Sequence, residues 1–118
     1  MEFEVIQQLQ GQTLTNVERI GDRELKFYTN DKVIRMYHPQ ECCEDVSIED
    51  LVGDLDDLVG NPILRAEERT KDGTNGWGDE RWTFYEIATI KGSVTIRWYG
   101  SSNGYYGISV NIYENDLD

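Results

Sequence analysis

Short runs of alternating apolar and polar residues dominate this chain, and they predict strands over most of its length. Such runs cover residues 14–20, 24–28, 32–38 and 62–70. The first three runs are separated by Gly21-Asp22 and Asn30-Asp31, dipeptides that favour tight turns between antiparallel strands. The pattern therefore predicts a series of hairpins in the first half of the chain.

The last third of the chain has the clearest strand pattern. It predicts strands over residues 81–90, 93–99 and 105–113, after a glycine-rich loop at 71–80. With Lys91-Gly92 as a two-residue turn, the first two of these strands pair Tyr85 with Trp98, Glu86 with Arg97 and Ile87 with Ile96. Opposite charges and large apolar side chains then meet across the ladder, which supports this hairpin.

Two segments show helical rather than alternating spacing. Val5, Ile6 and Leu9 precede Gly11 and predict a short N-terminal helix over residues 4–10. Ser47-Ile48-Glu49-Asp50 has the form of a capping box, and apolar residues then recur every three or four positions up to Gly60. The second pattern predicts a helix over residues 49–59 with an acidic polar face.

These elements predict a mostly β, α+β domain. We expect an antiparallel β-sandwich or a strongly curved sheet, packed against the short N-terminal helix and the one acidic helix. No internal repeat, linker or low-complexity tract interrupts the sequence, so residues 1–118 are expected to form a single domain.

The charge of the chain limits its partners. Twenty-three acidic residues against eleven basic ones give a net charge of −12, which disfavours direct binding to nucleic acid and favours a basic protein partner. The N-terminus lacks the features of a signal peptide, and no apolar run approaches the ~18 residues of a membrane span. We therefore expect a cytoplasmic protein without membrane contact, while homo-oligomer formation stays open.

The acidic residues concentrate in a block that has no Lys or Arg between Arg35 and Arg65. On the predicted helix, several of these carboxylates would face solvent and imitate a row of phosphates toward a basic partner. An ordinary solvated helix face, with acids near its N-terminus, is the alternative interpretation. The partner-binding hypothesis assigns eight residues to this surface: Glu41, Glu44, Asp45, Glu49, Asp50, Asp54, Asp56 and Asp57.

A second candidate site lies in the aromatic segment that follows residue 96. A guanidinium, aromatic rings and small polar groups stand at a strand–loop–strand junction, where they could stack on and hydrogen-bond to a nucleotide or another planar ligand. Ordinary packing of strand residues is the alternative. The candidate ligand-binding residues are Arg97, Trp98, Tyr99, Asn103 and Tyr105.

A third candidate site combines His38 with Cys42 and Cys43, which are soft ligands suited to zinc, and Glu44 could supply a fourth ligand. Their spacing matches no common zinc signature, and a structural role is the alternative. Adjacent cysteines rarely bridge each other, so reduced thiols are expected.

No phosphate-binding glycine loop, serine elbow or zinc-protease helix occurs, and we therefore expect neither an enzyme nor a required cofactor.

Several strings of this sequence are together distinctive: Cys42-Cys43-Glu44, Gly53 through Leu58, Trp82-Thr83-Phe84-Tyr85, and Val94 through Gly100 followed by Ser102 through Tyr106. Through them, residues 9–113 resemble a family of small uncharacterised proteins encoded by bacteriophages and prophages. The resemblance implies a viral or mobile-element context and no established activity.

By analogy with small acidic phage proteins, the leading expectation is a non-enzymatic inhibitor of a host defence or nucleic-acid-processing protein, with the acidic block as its binding surface. The first alternative is a protein that binds and sequesters a nucleotide signal. The second alternative is a small zinc-binding protein.

Overall fold

Eight antiparallel strands form two sheets in the computed structural model, which describes residues 5–104 and 106–116. Two short 3-10 helices complete the described part of the chain, at Val5–Leu9 and Leu55–Leu58. In chain order the strands are β1 (Asn16–Ile20), β2 (Glu24–Tyr28), β3 (Lys32–Tyr37), β4 (Asp45–Val52), β5 (Arg65–Thr74), β6 (Asp79–Thr89), β7 (Gly92–Ser102) and β8 (Asn111–Asp116).

The chain builds the two sheets in turn and crosses between them. The first sheet has the order β1-β2-β3-β8, and the second has the order β4-β7-β6-β5. Residues 38–44 lead from β3 in the first sheet to β4 in the second, and residues 103–110 lead from β7 back to β8. Both crossovers therefore join the same two sheets, and the His38 side chain of the first contacts the backbone of the second.

Period-two alternation directs one face of each sheet into a shared core. The first sheet contributes Leu25, Phe27 and Met36, and the second contributes Tyr85 and Trp98, all fully or almost fully buried. The Trp98 indole Nε1 donates a hydrogen bond to Met36 Sδ at 3.3 Å, which connects the two sheets through the core. A buried indole N–H usually finds such an acceptor, because leaving it unbonded would cost free energy.

The predicted N-terminal helix over residues 4–10 is wrong, although its apolar residues Ile6 and Leu9 are buried. Val5–Leu9 is a 3-10 helix, and residue 4 lies outside the described residues. The segment is too short to propagate an α-helix, and Gly11 N instead donates to the Ile63 carbonyl at 2.8 Å. Neither 3-10 helix in the described part of the chain is long and apolar enough to span a membrane.

The predicted acidic helix over residues 49–59 is also wrong. Its first part belongs to β4, where Val46 and Ile48 are buried opposite β7, because β-branched side chains pack well in a sheet. Gly53 then turns the chain with a positive φ of 113°, and a 3-10 helix follows at Leu55–Leu58. A strand followed by a turn therefore buries the apolar residues whose spacing predicts a helix.

A bulge in β4 adds one residue to the strand. Ile48 lies opposite Trp98 and Asp50 lies opposite Arg97, so Glu49 is the extra residue between them. Glu49 and Asp50 are both exposed, and both contact Arg97 on the outer face of the sheet.

The β6–β7 turn is Ile90-Lys91 rather than the predicted Lys91-Gly92. Thr89 lies opposite Gly92 and Tyr85 lies opposite Ile96, so the predicted pairs are displaced by two residues while each side chain keeps its face. The Thr89 hydroxyl donates to the Asp57 carbonyl and accepts from Lys91 N at 3.2 Å. This contact with the Leu55–Leu58 helix fixes the turn one residue earlier in the chain than the sequence pattern predicts.

Other strand boundaries also move from their predicted places. Most of the predicted loop at 71–80 belongs to β5 and β6, and only residues 75–78 form the turn between them. The side chain of Asn75 accepts from Trp77 N and Gly78 N, both at 2.8 Å, and thereby closes this turn. The last predicted strand, over residues 105–113, is shorter in the structure: it begins at Asn111, residues 106–110 lead into it, and residue 105 lies outside the described residues.

We predict that Gly53→Ala lowers the free energy of unfolding by about 2–4 kcal/mol, because a Cβ in this positive-φ position would lie 2.5 Å from the Ser93 carbonyl oxygen. Gly76→Ala is the control: no atom lies within 4 Å of its added Cβ, and a change within about 0.5 kcal/mol is expected. Urea denaturation of both variants measures the difference. Equal losses in the two variants would contradict the close packing of Gly53.

Candidate functional site

Part of the acidic block is neutralised by cations that are distant in sequence. Asp45 lies 2.8 Å from an Arg23 guanidinium nitrogen. Arg97 Nε lies 2.7 Å from Glu49 Oε1, as an ion pair without the geometry of a hydrogen bond, and Arg97 Nη2 lies 3.8 Å from Asp50. These three carboxylates therefore project a weaker field than the sequence alone predicts.

Glu44 is buried and does not belong to the acidic surface. Its carboxylate accepts hydrogen bonds from His38 Nε2 at 2.8 Å, Cys42 N at 2.9 Å and Glu41 N at 3.0 Å. These hydrogen bonds lower the pKa of Glu44 from 4.5 to about 2, and the bond to His38 has a larger effect than the bonds from the backbone N–H groups. Glu44 is thus an ionised group that organises the 38–44 crossover.

His38 connects this crossover to the other one. Its Nδ1 lies 2.7 Å from the Ser109 carbonyl oxygen, while its Nε2 contacts Glu44. A carbonyl and a carboxylate both accept hydrogen bonds, so the ring makes both bonds only when both nitrogens carry protons. The ring and the Glu44 carboxylate are both almost completely removed from solvent, so this contact is buried.

The structure does not bring His38, Cys42 and Cys43 together as a metal site. Cys42 and Cys43 are exposed and joined by a disulfide bond, whereas reduced thiols were expected. Both His38 nitrogens are occupied by oxygen partners, so neither is available to a metal or to activate a cysteine. Within residues 5–104 and 106–116, no three His, Cys, Asp or Glu side chains are grouped to hold a metal ion.

Asp54, Asp56 and Asp57 form what we call the acidic turn. Asp54 caps the Leu55–Leu58 helix, its Oδ1 accepting from Asp56 N at 2.9 Å, and Asp54 and Asp56 are exposed. Among the described residues, no Lys or Arg side chain forms an ion pair with these three carboxylates. Lys91, which lies beside the turn, donates instead to the Val59 carbonyl at 3.3 Å.

The candidate ligand residues after position 96 are divided between the two faces of β7. Trp98 is buried in the core, whereas Arg97 and Tyr99 lie on the outer face of the second sheet. Asn103 follows the strand, and Tyr105 lies outside the described residues. The predicted set is therefore not one site, because consecutive strand residues point in opposite directions.

Sequence reasoning missed the outer-face residues of β5 and β6. Trp82 and Phe84 lie on that face beside Arg97, and together with Lys71 and Glu49 they line a hollow of about 370 Å³. The missed signal is the alternation of β6, in which Thr83, Tyr85 and Ile87 are buried and the intervening residues face outward.

A larger hollow, of about 550 Å³, lies where the 103–110 crossover meets the β5–β6 hairpin. Arg81 crosses it, with its Nε 2.5 Å from Asp72 Oδ1 and its Nη1 2.8 Å from Ser109 Oγ. The Arg81 guanidinium lowers the pKa of Asp72 below its usual value. Ser109 is thereby bound on one side by His38 and on the other by Arg81.

Comparison with known proteins gives a family but no relative of known activity. A family model described as a domain of unknown function, DUF7448, matches residues 7–112. No curated protein and no solved structure matches the chain. The matched range includes both crossovers, the acidic turn and the hollow on the outer face of the second sheet.

We predict that acid weakens the fold through Glu44. Because its pKa falls from 4.5 to about 2 on folding, the ionised carboxylate stabilises the protein fully above pH 4.5, and this contribution is lost as pH falls toward 2. Glu44→Gln should lower the urea midpoint at pH 7 and reduce its decline between pH 4.5 and 2. Urea midpoints measured across this range, with the exposed Glu41→Gln as control, test the prediction. An unchanged pH dependence in Glu44→Gln would contradict it.

Proposed function

Because this chain belongs to the DUF7448 family, a family of unknown function, we propose from its own residues that it is a non-enzymatic protein that binds a basic macromolecular partner through carboxylates. Its resemblance to phage-encoded proteins suggests the context: inhibition of a host defence or nucleic-acid-processing protein. In this proposal the acidic turn occupies a basic groove that otherwise receives nucleic acid.

The observation that carries the proposal is the charge density of the acidic turn. Three carboxylates occur in four consecutive residues, and a 3-10 helix rises about 2.0 Å per residue, so about one negative charge falls on each 3 Å of its axis. Duplex DNA carries one charge per about 1.7 Å of its axis. The acidic turn therefore presents a charge density of the same order over a short distance.

The backbone of the acidic turn is held from several sides. Leu58 is buried in the core, Gly53 packs against Ser93, and the Thr89 hydroxyl donates to the Asp57 carbonyl. A fixed backbone reduces the conformational entropy lost on binding, which favours recognition by charged groups. Asp45, Glu49 and Asp50 contribute less, because Arg23 and Arg97 pair with them, and Glu44 is buried beside His38. Glu41 is exposed.

We predict that Asp54→Asn/Asp56→Asn/Asp57→Asn weakens partner binding by about tenfold or more and flattens its dependence on salt. Asn keeps the size of Asp and the capping acceptor at position 54. The partner is first captured on immobilised protein from bacterial lysate, and its affinity for each variant is then titrated at several salt concentrations.

The matched control is Asp45→Asn/Glu49→Gln/Asp50→Asn, which removes the same three charges from residues that are already paired with arginines. A much smaller loss is expected for this control. Equal losses would show that only net charge matters, and unchanged binding in the acidic-turn variant would refute the proposal. Displacement of the partner by duplex DNA separates imitation of nucleic acid from simple charge attraction.

A further inference from the structure

A block of aromatic and basic side chains occupies the centre of the outer face of the second sheet. Strand register places them in two adjacent rows across β5, β6 and β7, separated by one inward-facing position on each strand. One row consists of Lys71, Trp82 and Tyr99, and the other consists of Arg69, Phe84 and Arg97. Three of the eleven basic residues of a strongly acidic chain are therefore gathered around three aromatic rings.

The rings and cations of this block are close enough to act together. The Trp82 and Tyr99 ring centroids lie 5.2 Å apart at an angle of 51°, and Lys71 Nζ lies 6.0 Å from the centre of the Trp82 ring. Trp82 and Phe84 are only partly buried, so ring surface remains accessible within the 370 Å³ hollow. Lys71 and Arg97 line the same hollow, together with Glu49.

We propose that this hollow binds a mononucleotide. The base stacks on Trp82 and Phe84, because an aromatic ring offers a stacking surface to any base. The phosphate contacts Lys71 and the neighbouring Arg69, whose side chain is largely exposed at the β5 side of the block and lies 4.0 Å from the Glu86 carboxylate. Glu49 accepts a hydrogen bond from a ribose hydroxyl, and a hollow of this volume lies within the range of small-ligand sites.

The surrounding charges favour a single nucleotide over a polynucleotide. Glu67 and Glu86 face each other in the next row on one side of the block, where both pair with Arg65, and Glu80 lies in the next row on the other side. A further phosphate on the Glu80 side would meet that carboxylate and be repelled, and on the other side Arg65 is already engaged by the two carboxylates. Charges that are more distant than about 8 Å are largely screened at physiological salt, so the net charge of −12 does not prevent local binding of a small anion.

Isothermal titration of the intact protein with AMP, GMP, CMP and UMP tests the proposal, with adenosine and inorganic phosphate as partial ligands. At least one mononucleotide should bind about tenfold more tightly than either partial ligand, because stacking and phosphate contacts then act together. Absence of binding by all four at millimolar concentration would overturn the proposal. Tighter binding of a single-stranded RNA oligonucleotide would also overturn it, in favour of a polynucleotide site.

Arg69→Ala/Lys71→Ala should weaken nucleotide binding about tenfold, since it removes the two cations that contact the phosphate. The control is Arg19→Ala/Lys26→Ala, which removes the same charge from the first sheet and should leave affinity unchanged. Equal effects of the two variants would overturn the site.

Trp82→Leu, verified as folded by urea denaturation, should also lose nucleotide binding, because leucine keeps an apolar side chain at this position but offers no ring for stacking. The acidic-turn variant should retain nucleotide binding, so this site is tested independently of the proposed partner binding.

Discussion

The buried hydrogen bond between the His38 ring and the Glu44 carboxylate is the interaction on which the joining of the two crossovers depends. It lies where the chain leaves the first sheet, and through the Ser109 carbonyl it also holds the segment that returns there. An unpaired carboxylate in this position would be costly, so the His38 ring and the backbone donors to Glu44 are required together. Arg81 extends the connection from Ser109 Oγ to Asp72 in β5. One continuous polar network thus links both crossovers to the edge of the second sheet.

The strands could be predicted from sequence because their signal is local. Alternation along β2, β3, β6 and β7 follows from burial of one face, and it survives even where the turn is displaced by a residue. The displacement itself depends on Asp57, which contacts Thr89 from more than thirty positions away. The false helix has a similar cause: apolar residues spaced by three or four also fit a strand followed by a 3-10 turn, and only pairing with β7 decides between them.

A candidate site could be predicted from the sequence only as far as its residues lie close together along the chain. The concentration of acids is visible in the sequence, but the arginines that pair with three of its eight carboxylates come from β7 and from the turn before β2. The role of Glu44 depends on burial and on backbone donors, which residue identity does not encode. Trp82 and Phe84 follow a simple alternation, yet their meeting with Lys71 and Arg97 requires the order of three strands.

The bulge at Glu49 has a consequence for variation in chain length. Ile48 faces inward and Leu51 faces inward, and the two acids between them both face Arg97. Removing Glu49 would therefore leave a regular strand in which every remaining side chain keeps its face. Removing a residue such as Ser47 would instead reverse the faces of the residues before it and place Val46 in solvent. Removing Asp50 would have the same effect as removing Glu49, so single-residue deletions among relatives should be tolerated at these two positions of β4 and selected against elsewhere along it.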